Sequence, residues 1–288
     1  MASGILLLDK PSGLSSNAAL QRVRALYGRV KGGHVGSLDP LATGMLPVCL
    51  GEATKIAGAI VESRKRYRFT IALGEATATG DAEGEVCERA AVPPLEQATV
   101  LGVLEGFRGR GSQVPPMYSA LKREGRPLYA LARAGVTVER AARAIELFDL
   151  PLVSLGPRSL ELEALCSKGT YIRVLAEDIA RALGTCGHVT ALRRLYVEPF
   201  EHEPMHTLES LREALPQLLP ADAPLAHLPA VHLAAEPTAR LLNGQRVDGG
   251  LPESHPRVRI YDSDGAFLGL GSSEASGLVQ PRRLLNIS

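Results

Sequence analysis

The chain has 288 residues, of which 45% are hydrophobic and 22% charged, a balance that excludes extensive disorder and fits one large domain with a small companion. Its formal net charge of +1 neither demands nor forbids a polyanionic partner, and no apolar run reaches the ~20 residues that a membrane-spanning helix needs. Cys49, Cys87, Cys166 and Cys186 lack CxxC spacing and metal-ligand register, so reduced thiols in a cytoplasmic protein are expected, with no structural zinc or other metal.

Ile5 to Leu8 reads as a buried strand ended by the turn Asp9-Lys10-Pro11-Ser12-Gly13. A helix is predicted next: Ser15 or Ser16 caps it, Leu20, Val23 and Tyr27 recur at helical spacing, and Gly28 stops it. The basic tip Arg29-Val30-Lys31 then enters a loop from Gly32 to Pro47 in which four glycines and two prolines enclose Asp39. Pro40 disfavours the α region at the residue before it, so an extended Asp39 with a carboxylate aimed by stiff backbone is expected. An ordinary Asp-Pro turn is the alternative.

Arg66 to Leu73 alternates, with Tyr67, Phe69, Ile71 and Leu73 inward, and Gly74 to Glu85 reads as a polar loop of hairpin character. Leu95 to Phe107 has helical spacing at Leu101, Leu104 and Phe107. From Arg108 to Arg143 the chain is irregular and basic; it carries Pro115-Pro116-Met117-Tyr118-Ser119-Ala120-Leu121-Lys122 and a short helix ending at Gly135, and reads as a flap. Leu160 to Cys166 is a half-exposed strand, and Ser167-Lys168-Gly169-Thr170 turns into a helix that ends at Gly184, with Tyr171 and Arg173 on its first turn. Short helices and linkers are expected from Pro204 to Pro237, followed by a separate terminal unit with strands at 257–261 and 267–271 about the turn Asp262 to Gly265.

Charge is unevenly spread. Between Lys10 and Arg68 there are ten Lys or Arg (Lys10, Arg22, Arg24, Arg29, Lys31, Lys55, Arg64, Lys65, Arg66, Arg68) against three acids (Asp39, Glu52, Glu62). A basic surplus around the most constrained loop points to an anionic substrate such as RNA or DNA, with a merely solvated surface as the alternative.

Four separated segments, Leu7-Leu8-Asp9-Lys10-Pro11-Ser12-Gly13-Leu14-Ser15-Ser16, the Gly33 to Pro47 loop, Lys65-Arg66-Tyr67 and Ser167-Lys168-Gly169-Thr170-Tyr171-Ile172-Arg173, together resemble the bacterial TruB family of tRNA pseudouridine synthases. The likeness continues through Met117 to Lys122 and Leu192-Arg193-Arg194-Leu195. It implies an α+β fold: a catalytic domain over residues 1–228, with a central mixed or antiparallel sheet flanked by helices and the flap at 108–143. A small β-rich, PUA-like RNA-binding domain would follow over 229–288.

The activity implied is isomerisation of uridine 55 in the T-loop of tRNA, by an enzyme acting as a monomer without guide RNA, cofactor, membrane or obligatory protein partner. That chemistry needs neither redox change nor group donor, in keeping with a chain that has no nucleotide fingerprint. By the resemblance Asp39 is the catalytic carboxylate, Arg173 its counter-ion, and Tyr67 the platform on which the flipped base stacks, with a hydroxyl that takes part in proton transfer at C5. Tyr171 and Leu192 line the uracil pocket, His34 fills the gap left by extruded nucleotides, and Lys10 and Pro11 support the loop from beneath. Taken singly, Arg173 also reads as a phosphate contact, Tyr67 and Leu192 as core, and His34 as a local hydrogen-bonding residue. The rival functions are a guide-dependent RNA pseudouridine synthase, a non-catalytic tRNA-binding or folding chaperone, and a hydrolase built on Asp39.

Overall fold

The computed structural model describes residues 2–123 and 125–286. Its main sheet has nine strands, seven of them in the order Gly4–Lys10, Thr43–Leu50, Gly187–Val197, Lys65–Leu73, Ser159–Cys166, Arg143–Asp149 and Gly109–Gln113. Neighbours run antiparallel except Gly187–Val197 beside Thr43–Leu50, which pair in parallel through Arg193 opposite Thr43 and Arg194 opposite Gly44. The sheet is therefore mixed. Gly32–His34 pairs with the Val48 to Leu50 end of Thr43–Leu50, whose Thr43 and Gly44 pair with Gly187–Val197, and Leu152–Gly156 pairs with Ser159–Cys166.

The continuous apolar run Ile5 to Leu8 is explained by burial on both faces of the sheet. Leu6 and Leu8 join the main core with Leu20, Val23, Phe69, Ile71, Leu175 and Ile179, under the helices Ser16–Leu26 and Ile172–Ala182. Ile5 and Leu7 pack on the opposite side with Met45, Cys49, Val197 and Phe200. Further along the sheet that second face opens to solvent, and Glu163 pairs there with both Arg66 and Arg68 at 2.7 Å.

Ser15 caps the first helix by accepting from the Ala18 amide, and Gly28 follows it at φ 72°. The terminal unit is a five-stranded sheet, Ala230–His232, His255–Tyr261, Phe267–Ser273, Leu278–Leu284 and Val247–Asp248, with the helix Ala235–Leu242 and its own core of Val231, Leu241, Val258, Ile260, Leu268 and Val279. Polar ties to the rest of the chain include Tyr261 Oη donating to Asp222 Oδ2 at 2.7 Å, Lys55 Nζ to the Leu284 carbonyl at 2.8 Å and Asn286 N to Glu52 Oε2 at 2.6 Å.

Four expectations need correction. The Gly32 to Pro47 stretch is not all loop, since Gly32–His34 and Thr43–Leu50 are strands that leave only residues 35–42 irregular. Pro47 is tolerated there because a sheet position opposite Leu7 needs only its carbonyl, which accepts from Val35 N at 2.9 Å. The helix Gln97–Glu105 buries Leu104 as expected, with Phe107 packed against the same core beyond its end, but leaves Leu101 46% exposed and buries Val100 in its place. The ends of the 108–143 flap are not irregular: Gly109–Gln113 pairs with Arg143–Asp149 at the sheet edge. Finally Tyr171 is the N-cap of its helix rather than part of the first turn.

Candidate active site

Residues 35–42 are held from three sides. Because Ser15 does the capping, the buried Ser16 hydroxyl is free to clamp Leu38, donating to its carbonyl at 3.0 Å and accepting from its amide at 2.7 Å. Lys10, fully buried, reaches the Pro40, Pro11 and Leu14 carbonyls at 3.3, 2.9 and 2.6 Å, and Gly13 N also donates to Pro40 at 2.8 Å. Burial pulls the Lys10 ammonium down to about 8 despite the nearby Asp39 charge. On the third side Arg194, 1% exposed, donates to the Met45 carbonyl at 2.6 Å and the Gly36 carbonyl at 2.9 Å. Ala42 N closes a turn on the Asp39 carbonyl at 3.1 Å, so the Asp-Pro turn and the directed carboxylate coexist.

That scaffold delivers Asp39 to Arg173. Arg173 Nε lies 2.9 Å from Asp39 Oδ2, and Nη2 lies 3.2 Å from Oδ1, a two-pronged contact only the planar guanidinium can make. Two further bonds hold the guanidinium: Nη1 donates to the Thr79 carbonyl and Nη2 to the Tyr118 carbonyl, both at 2.6 Å. Arg173 is 4% exposed, so the pair is lodged at the mouth of the core with its carboxylate side open. Burial raises the Asp39 carboxyl above its ordinary value, and the Asp81 charge adds to this, while Arg173 and Lys10 oppose both.

Tyr67 projects from Lys65–Leu73 onto the same face as Arg194, its register partner, and packs against the main core. Burial holds its phenol above the usual range, with the Asp39 charge acting in the same direction and Arg194 against it. The Tyr171 main chain is gripped by Gln113, whose side chain accepts from its amide at 2.9 Å and donates to its carbonyl at 3.3 Å; burial raises the Tyr171 phenol too. Leu192 is 8% exposed and belongs to the same apolar cluster as Leu38, Ala42, Ile172 and Tyr67, the immediate neighbours of the pair. His34 sits apart, at the end of Gly32–His34; burial and the Arg194 charge lower its imidazole pKa, and Nδ1 is buried without a partner among the described residues.

Sequence reasoning passed over four residues that the fold brings here. Asp81, 4% exposed, lies 3.7 Å from Arg173 Nε and is fixed by the Thr79 hydroxyl at 2.6 Å and the Glu83 amide at 3.1 Å. It comes from the polar hairpin after Gly74, whose sequence gives no hint of a charge partner. Arg194, Ser16 and Gln113 were equally silent in these roles, although a buried arginine beside a second one in Leu192-Arg193-Arg194-Leu195 is a usable signal.

A carboxylate in a cleft, kept ionisable by a guanidinium and flanked by two tyrosines, suits chemistry at an electron-poor carbon on a planar, polar substrate. Known proteins bear on this directly. A model of the TruB family pseudouridylate synthase N-terminal domain matches residues 24–172, one of the tRNA pseudouridylate synthase B C-terminal domain matches 173–225, and one of the pseudouridine synthase II TruB C-terminal region matches 229–285. A protein of Chromohalobacter salexigens called tRNA pseudouridine synthase B is 53% identical over 98% of this chain and 94% of its own length. Its namesake in Nitrosococcus oceani is 49% identical over 98% and 94% respectively. In the solved structure of a Cbf5-Nop10-Gar1 complex one chain has the same fold, with a TM-score of 0.71 at 22% identity over 99% of this chain and 84% of that one. An H/ACA RNP bound to a substrate RNA containing 2'-deoxyuridine gives 0.73 at 21% over 99% and 85%. With family models spanning both the Asp39 loop and the Arg173 helix, this chain belongs to the TruB family of pseudouridylate synthases, enzymes that isomerise their substrate.

Proposed function

We propose that this protein converts uridine 55 of the tRNA T-loop to pseudouridine, in the cytoplasm, alone and without guide RNA or cofactor. The relatives' shared name supports tRNA as the substrate. The observation that carries the mechanism is the two-pronged Arg173–Asp39 contact at 2.9 and 3.2 Å.

In the reaction the bond from ribose C1′ to N1 breaks, the uracil turns, C5 bonds to C1′, the C5 proton leaves and the freed N1 takes a proton up. Atoms and electrons balance without a donor. Asp39 supplies the negative charge that carries C1′ through its electron-poor stage, as nucleophile or base toward the sugar. Its carboxylate must be ionised in a desolvated cleft, where burial acts against it, and Arg173 offsets that burial. Tyr67 offers the ring on which an extruded uracil stacks, a contact worth roughly 1–3 kcal/mol, and its phenol, raised above the usual range by burial, relays the C5 proton. Tyr171 supplies a polar contact and Leu192 an apolar wall. His34, neutral and with Nδ1 unpaired, suits a planar plug for the loop from which nucleotides have been flipped. Lys10 acts through the Pro40 carbonyl, and Pro11 through the turn that seats it.

The test is tritium release from C5-labelled uridine in a bare T-arm stem-loop. Wild-type protein should release it with no other RNA present. Silence on that substrate, with release restored by a second RNA, would replace the stand-alone reading by a guided one. Retained stem-loop affinity with no release from any RNA would leave a binding chaperone.

A further inference from the structure

The strand Gly109–Gln113 lies at the sheet edge with four exposed residues and one buried one, and the buried one is an amide. Gln113 is 5% exposed and stands opposite Arg143, where the flap leaves the sheet and returns to it. A glutamine belongs on the surface unless its amide is paired. Here both ends are paired, and to one residue: Oε1 accepts from Tyr171 N at 2.9 Å, and Nε2 donates to the Tyr171 carbonyl at 3.3 Å. A peptide N–H only donates and a carbonyl only accepts, so a single orientation of the amide serves both.

Tyr171 opens the helix Ile172–Ala182 without a capping side chain of its own, and its carbonyl also accepts the first helical bond, from Leu175 N at 3.0 Å. Gln113 supplies the hold on this helix start that the Tyr171 side chain does not. Arg173 stands two residues further on, with its guanidinium on Asp39. The flap grips the same turn again through the Tyr118 carbonyl, which accepts from Arg173 Nη2 at 2.6 Å. One contact sets the main chain and the other the guanidinium.

We infer that Gln113 is a positioning residue for the isomerisation: by fixing the Tyr171 main chain it sets where the helix begins, and so holds Arg173 against Asp39 and Tyr171 against the base. This deepens the uridine-isomerising reading and rests on it. The foot of the flap and the start of the catalytic helix thereby move as one piece.

The experiment reads kcat and KM for C5 tritium release from the T-arm stem-loop, on the full chain, at a fixed interval below each variant's thermal midpoint. Gln113→Met keeps the volume and removes both bonds; it should lower kcat by roughly five- to a hundredfold, the range spanned by two uncharged hydrogen bonds, with a smaller effect on KM. Gln113→Glu keeps the acceptor for Tyr171 N but sets a carboxylate oxygen against the Tyr171 carbonyl, which raises the new carboxyl's pKa. Once protonated, that carboxyl accepts with one oxygen and donates with the other, as the amide does. The ratio of Gln113→Glu to wild-type kcat, taken at each pH so that the titration of Asp39 cancels, should therefore climb toward one as the pH falls, or stand at one throughout if burial keeps the carboxyl protonated. Unchanged kcat in Gln113→Met, a rise in KM alone, or a Gln113→Glu deficit that does not shrink in acid overturns the inference. Failure of the functional reading is separate and visible at once, because the unsubstituted protein would then release no tritium.

Discussion

At Asp39 two opposed effects meet: burial, the larger, favours the neutral acid, and the Arg173 fork favours the anion. The net displacement is upward, so the acid limb of kcat, which requires the ionised carboxylate, should lie at higher pH than that of an ordinary aspartate. A kcat–pH profile on the stem-loop checks this; a limb at or below the usual carboxylate range contradicts it. Asp39→Asn should reduce tritium release by roughly 10³-fold or more while stem-loop affinity changes little. Arg173→Lys keeps the charge but cannot span both carboxylate oxygens and the Thr79 and Tyr118 carbonyls together. A loss of roughly 10²-fold in kcat, larger than its effect on KM, is expected, and single-turnover kinetics separate the two.

Among the elements, the parallel contact between Gly187–Val197 and Thr43–Leu50 does the most to shape the site. Gly44 sits there at φ 97°, and a Cβ at that position would overlap the Arg194 carbonyl oxygen, a backbone atom that cannot step aside. Gly13 has a similar φ of 79° but open space around it. Gly44→Ala should therefore cost about 3 kcal/mol or more, and Gly13→Ala only the ~1–2 kcal/mol of the left-handed backbone. Denaturant titration of the two variants checks the difference, and equal midpoints would show that the strand crossing is looser than described. The same strand was illegible as a sequence. GHVTALRRLYV carries two central arginines, and register shifts at Val189/Ala191 and Arg194/Tyr196 break the two-residue period on which strand recognition depends. By contrast Arg66 to Leu73 and Leu160 to Cys166 pair without interruption, and there the alternation was readable.

For the molecule as a whole, the terminal sheet has its own core and is fastened to the body by polar contacts. Tyr261 is central to one of them: its hydroxyl gives its proton to Asp222 at 2.7 Å and accepts from Arg259 at 3.1 Å, while Arg259 also bonds the Leu228 carbonyl at 3.0 Å. Tyr261→Phe should cost about 1–3 kcal/mol of attachment, because the Asp222 carboxylate loses its donor. Calorimetry should then show the terminal unit melting apart from the catalytic body, with kcat on the T-arm stem-loop unaltered. One unchanged cooperative transition would mean that the apolar contacts alone hold the two together.

The first helix and its stop and the Tyr67 face were present in local patterns, because turns, caps and two-residue alternation are set by neighbours along the chain, while the α+β class came with the family resemblance that short motifs carry. So was the singling out of Asp39, by the glycines and prolines around it. What only the tertiary structure decided is how that carboxylate is held. Ser16 on Leu38, Arg194 on Gly36 and Met45, Asp81 behind Arg173, and the flap carbonyl of Tyr118 on the same guanidinium are contacts between residues distant in sequence. Each joins side chains whose types are common and whose spacing carries no period. Their meaning arises only when the sheet brings them within hydrogen-bond reach of one acid.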